Sequence, residues 1–148
     1  LQDMGEEMWV YTCGFPAGKT MNRSTDLPLA ATRLPFWLCV KYGFTGFLHW
    51  GYNAYAGRDP FRFNCYYRVP KSLPPGDGFI VYPGPDGTVW NSLRAHHQRS
   101  GAEDYEALMQ LPPERRLALV EKLCRSFDDY ESDPARIESV RRALLAAF

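Results

Sequence analysis

Few side chains in this sequence stand where chemistry needs them, and the strongest group is aromatic. Trp50-Gly51-Tyr52-Asn53 sets an indole, a phenol and an amide within four positions. That is a flat apolar face beside hydrogen-bonding groups, the make-up of a binding corner and equally of an aromatic core. Tyr11-Thr12-Cys13 forms a smaller group of the same kind. Glu103-Asp104 is an adjacent carboxylate pair, but consecutive helical side chains diverge by about 100° and cannot converge on one bond. Glu103 follows Arg99 by four residues, the spacing of an ion pair along one helix face. Asp104 falls in an apolar stripe and must find a partner on another element. Arg94 is not that partner, lying about 15 Å away along the helix axis.

The remaining candidates read as structural. Asp77 stands between two glycines, as a turn residue or a hydroxyl contact. His49 is expected to alternate with Trp50 and to pack on the opposite face of its strand. His96 and His97 are adjacent on a helix without ligands at metal spacing, so no metal site is expected. Cys13, Cys39, Cys65 and Cys124 form no Cys-x-x-Cys. Cys39 and Cys124 read as buried thiols, and Cys13 could reach Cys65 only if a long loop folds over a strand end. No nucleophile elbow, phosphate loop or dinucleotide fingerprint occurs, and no cofactor is expected.

These residues need elements to hold them. Residues 8–13 are aromatic and β-branched and stop at Gly14-Phe15-Pro16, a buried strand followed by a loop. Residues 29–43 read as a helix with Gly43 as its stop, beginning near Leu34 with Pro35 in the first turn. Residues 46–50 form a second strand, which makes a β-α-β unit with parallel strands. Gly51 to Pro75 has no period, and loops of that length are commonly functional. Residues 79–82 read as a short strand between turn signals. Trp90, Leu93, His97, Gly101, Asp104, Leu108 and Leu111 then fall within about 40° of one line on a helix. Gly101 there suggests close helix–strand approach. Leu117 to Phe127 continues at helical spacing after Pro112-Pro113, and Asp133 with Pro134 opens a last helix.

Composition narrows the function classes. The 148 residues carry 17 basic and 17 acidic side chains, a formal net charge of +0. That balance speaks against nucleic acid as a partner, since such affinity rests on phosphate neutralisation. No apolar run approaches the roughly 18 residues of a membrane span. Of the 22 aromatic residues, 18 lie in residues 1–90, whereas charge is concentrated in the helical remainder. Two parallel strands do not close a sheet, so the economical architecture is the C-terminal part of a larger β/α assembly. The chain begins at Leu1 and is read as a processed or excised piece.

The order of blocks carries a resemblance. WVYTC, an aromatic helix ending in KYG, GFLHWGYN, GDGFIVYPGPDG and SLRAHHQRSGAEDYEAL follow one another at fitting spacing. Over about residues 8 to 111 this resembles the C-terminal portion of the catalytic region of glycoside hydrolase family 123. The resemblance implies an α/β fold, the C-terminal part of a (β/α)8-type barrel whose last two strands are residues 8–13 and 46–50. Residues 1–111 would be the barrel's C-terminal β/α units and residues 112–148 a C-terminal helical hairpin. It also implies hydrolysis of β-linked N-acetylgalactosamine, with the substrate's acetamido oxygen as nucleophile and an adjacent Asp-Glu pair on an earlier strand.

No strand of this sequence ends in Asp-Glu, so the resemblance places the acid machinery upstream of Leu1 and leaves no catalytic residue here. Barrels put their chemistry at the C-terminal ends of strands. Trp50 is therefore expected to stack on a sugar, with Tyr52, Asn53 and Tyr11 as polar contacts. The partners expected are a glycan and the rest of the same barrel. The family's substrates favour the periplasm or the outside of the cell, while free cysteines permit the cytoplasm. The rival reading is a non-catalytic carbohydrate-binding or interaction module using the same aromatic surface.

Overall fold

The computed structural model describes residues 2–67 and 72–148. Residues 68–71 of the predicted Gly51–Pro75 loop lie outside the described residues. The first unit is β1 (Trp9–Thr12), α1 (Ala30–Arg33), α2 (Pro35–Tyr42) and β2 (Gly46–His49). The strands pair in parallel with Trp9 opposite Gly46 and Thr12 opposite His49, as expected for a β-α-β unit. The predicted single helix is two, because Pro35 has no N–H to continue α1 and instead occupies the first turn of α2. Gly43 ends α2 at φ 68°, a left-handed cap that suits glycine, and the Phe44 N–H donates to the Cys39 carbonyl.

Next come β3 (Val81–Pro83) and β4 (Val89–Asn91), an antiparallel hairpin. Trp90 therefore sits in a strand and not at the head of the following helix. Its backbone pairs with Tyr82, and the helix can start only after Ser92, whose hydroxyl accepts from the Ala95 N–H at 3.1 Å. That helix is α3 (Leu93–Met109), followed by α4 (Pro113–Val120) and α5 (Pro134–Leu145). Asp133 caps α5 through the Ala135 N–H, as its sequence indicates. α4 stops at Val120, short of the predicted Phe127. Beyond it the Ser126 hydroxyl takes the Asp129 N–H and a Cys124–Tyr130 bridge turns the chain back, yet Leu123 and Cys124 stay buried. Among the described residues no helix is long and apolar enough to cross a membrane.

One core joins the two halves of the sequence. Met21, Leu34, Trp37 and Leu38 pack with Leu108, Val120, Leu123, Ile137, Val140 and Leu144. Each large side chain removed from water there contributes about 1.5–3 kcal/mol. Asp104, buried in that stripe, accepts from Arg33 Nε at 2.7 Å, Trp37 Nε1 at 3.0 Å and Arg141 Nε at 3.1 Å. One carboxylate thus ties α3 to α1, α2 and α5. Gly101 lies one turn before it, where a Cβ would meet the Arg33 carbonyl and the Phe36 ring. The close approach is helix to helix, correcting the helix–strand expectation, because α1 and α2 pack on α3 at that point.

Candidate functional site

The parallel pair has two unlike faces. Val10 and Thr12 are buried, and Phe47 packs on Phe36 of α2 with ring centroids 5.1 Å apart. On the other face Trp9, Tyr11 and Leu48 are about half exposed, Tyr11 and Leu48 lying side by side. Large apolar groups gathered on a bare sheet face mark a surface that something else covers. Each of the two strands also presents one edge without a strand partner among the described residues.

At the C-terminal end of this sheet the chain turns a corner, residues 50–54, against a second turn, residues 75–79. Backbone bonds lock the two together: the Ala54 N–H donates to Gly78 and the Ile80 N–H to Tyr52. Gly51 is required by this contact, since a Cβ there would lie 2.7 Å from the Gly78 carbonyl carbon. The second turn is held from behind by α3. Arg94 Nη1 donates to the carbonyls of Gly76, at 2.9 Å, and Arg23, at 2.5 Å. Gly76 itself adopts φ 79°, and Thr25 donates to Pro75 through its N–H and its hydroxyl.

Between the two turns sits Asp77, 1% exposed. Its Oδ2 accepts from Trp50 Nε1 at 2.7 Å, and His49 Nε2 faces its Oδ1 at 3.4 Å. The Gly51 N–H donates to His49 Nδ1, which places the neutral ring's proton on Nε2, toward Asp77. His49 and Trp50 therefore converge on one carboxylate instead of opposing each other, because β2 ends at His49 and Trp50 follows in a bend. His49 is buried as expected, and burial pulls its pKa down; the Asp77 contact opposes this and the positive Arg23 and Arg94 add to it. Arg23 is pulled down to about 10 by burial and by Arg94, and so stays charged at neutral pH.

Trp50 emerges from this arrangement 41% exposed, its ring edge-on to Tyr66 at 5.0 Å and stacked on His49 at 6.3 Å. Tyr11 stands beside Leu48 on the bare sheet face, and partial burial, Cys13 and the Asp77 charge push its phenol up. Tyr52 and Asn53 go elsewhere. The Tyr52 ring lines a cleft of about 400 Å³ with Phe36, Phe47, His96 and Arg99, a cleft that neither Trp50 nor Tyr11 lines. Asn53 is exposed and bridges to Phe79 through its backbone.

Glu103 pairs with Arg99 at 2.8 Å on the surface, as its spacing indicates. All four cysteines are free thiols, so Cys13 and Cys65 are not bridged. Burial pushes the Cys39 thiol up to about 11 and Cys124 further still. The residue that sequence reasoning undervalued is Asp77. Its one signal is the pair of flanking glycines, which admit Arg94 on one side and Tyr66 on the other.

The family model described as "Glycoside hydrolase 123, catalytic domain" matches residues 2–111. Among solved structures, a family 123 glycoside hydrolase from Clostridium perfringens, described in connection with glycolipid glycan hydrolysis, is similar at a TM-score of 0.64 and 18% identity. The match covers 97% of this chain and 27% of that one, and at this identity it speaks for the fold alone. No curated protein matches.

Proposed function

We propose a function from one premise: this chain belongs to the glycoside hydrolase 123 catalytic-domain family. The chain forms one wall of the sugar pocket of a glycosidase that acts on N-acetylgalactosamine-bearing glycans. Residues 1–111 are the C-terminal β/α units of a (β/α)8-type barrel, and residues 112–148 are a helical segment packed on their outside. The bare face of Trp9, Tyr11 and Leu48 then looks into the barrel, where the strands of the rest of the molecule cover it.

The observation that carries this reading is the placement of Trp50. It is a partly exposed indole at the C-terminal end of a parallel strand, where barrels locate their chemistry. Its ring is the stacking platform for a sugar's C–H face and the Tyr11 phenol is a polar contact, whereas Tyr52, on its separate cleft, and the exposed Asn53 are left out of this contact. Characterised relatives use an adjacent Asp-Glu pair for substrate-assisted retaining hydrolysis, and these 148 residues contain no such pair. The chain is therefore assigned sugar holding and not proton transfer. The second reading is a carbohydrate-binding or interaction module using the same aromatic surface without catalysis, which would be monomeric and would melt cooperatively by itself.

Trp50→Ala in the intact gene product tests the platform. Calorimetric titration with an N-acetylgalactosamine-terminated oligosaccharide should show affinity falling about 30-fold, the size of a hot-spot truncation. Stability should fall as well, because the truncation strips the buried Asp77 carboxylate of the indole N–H, so affinity is read at a temperature where the variant is fully folded. Unchanged affinity in the folded variant would remove the platform.

A further inference from the structure

We propose that Asp77 is the positioning residue of this site: its buried carboxylate sets the plane and tilt of the Trp50 ring. The inference rests on the sugar-platform reading for its effect on binding, but the anchoring itself stands on geometry. Trp50 lies outside the strand ladder, so β2 does not determine where its side chain points. The ring's hydrogen bond is made by its own N–H, which donates to Asp77 Oδ2 at 2.7 Å, the length of a charge-assisted bond. Asp77 cannot swing to follow a moving indole. It is 1% exposed, its N–H donates to Pro74, and its turn is held through Gly76 by Arg94. Arg94 is in turn fixed by the Arg23 carbonyl and lies over the Phe79 ring at 5.5 Å.

The other half of the carboxylate faces His49. His49 Nε2 lies 3.4 Å from Oδ1 without completing a hydrogen bond, and the His49 ring stacks on Trp50, so the carboxylate has both rings beside it. Tyr66 closes the far side, edge-on. The indole is thereby confined on its polar edge and on its inner surfaces, and its remaining surface is the exposed part. An asparagine at position 77 keeps the shape but not the function of both oxygens. Its oxygen can accept from Trp50 only while its NH2 faces the Nε2–H of His49, donor against donor.

The test is a double-mutant cycle on the intact gene product, with Asp77→Asn, Trp50→Phe and both together. Two readouts are taken: the indole N–H resonance of Trp50 by 15N–1H NMR, and affinity for an N-acetylgalactosamine-terminated oligosaccharide. In the unmodified protein the Trp50 indole proton should exchange with solvent about tenfold or more slowly than that of Trp90, which lies outside the covered sheet face. That measurement needs no variant, and equal exchange rates would overturn the anchor even if Asp77→Asn does not fold. Asp77→Asn should move the Trp50 resonance and lower affinity about tenfold. In the Trp50→Phe background it should lower affinity no further. An equal loss in both backgrounds would overturn the proposal, because Asp77 would then act other than through Trp50. If the resonance moves while neither substitution changes affinity, the anchor stands and the sugar platform falls.

Discussion

Replacing Asp104 by asparagine should cost this fold about 3–5 kcal/mol, the range seen when one partner of a buried ion pair is removed. The structure explains why the loss falls there and not near zero. The carboxylate is 2% exposed and accepts from Arg33, Trp37 and Arg141 at 2.7, 3.0 and 3.1 Å. Asparagine fills the same volume but offers one acceptor where two were used, and turns its NH2 toward a guanidinium. Arg33, itself 8% exposed, is left charged and under-partnered in the core. Arg33 and Trp37 share Oδ2 while Arg141 uses Oδ1, so an amide oxygen at the Oδ2 position keeps two bonds and loses one of about 1.5–3 kcal/mol, and the rest of the cost is the buried Arg33 charge left without a counter-ion. Urea unfolding followed by far-ultraviolet circular dichroism measures it. The internal comparison is sharper than the absolute value. Arg33→Ala should approach the Asp104 loss, whereas Arg141→Ala, whose side chain is 29% exposed, should cost about 1 kcal/mol after solvent screening. A loss below about 1 kcal/mol for Asp104→Asn would refute the reasoning, since it would mean that the core repartners Arg33 without strain.

Gly51→Ala should destabilise by about 1–3 kcal/mol, the usual cost of overpacking, because the new Cβ meets the Gly78 backbone and not a flexible side chain. Melting and glycan titration should both register it, since the corner carrying Trp50 is pushed off the Asp77 turn. Stability should also fall as pH drops below about 6.5, the ordinary histidine value. Burial holds the pKa of His49 and His97 down in the folded chain, so the unfolded chain takes up protons that the folded one does not. The slope reaches at most about 1.4 kcal/mol per pH unit for each such group. His49→Phe should flatten part of that slope between pH 7 and 5 in unfolding experiments, and an unchanged slope would show that His49 titrates alike in both states.

Much of this protein is local, and what is local was readable. Alternating aromatic and β-branched residues make β1, Pro35 and Gly43 bracket α2, and Asp133-Pro134 opens α5, because propensity and capping act within a few positions. Even the need of Asp104 for a partner follows from a carboxylate in an apolar stripe. Its partners do not follow, since Arg33 and Trp37 lie 71 and 67 residues away and Arg141 lies 37 away. Trp90 shows the same limit from the other side. Its spacing fits the α3 stripe, yet pairing with Tyr82 across the hairpin keeps it in a strand. The candidate site divides in the same way. Trp50 and Tyr11 were visible as aromatics at strand ends, but Asp77 looked like a turn residue between glycines. Only the folded chain brings Asp77 under Trp50, 27 residues away, and sets Arg94 behind it against the Arg23 carbonyl, 71 residues away. A side chain's exposure and charge partners depend on such distant neighbours, and no local pattern of residues encodes them.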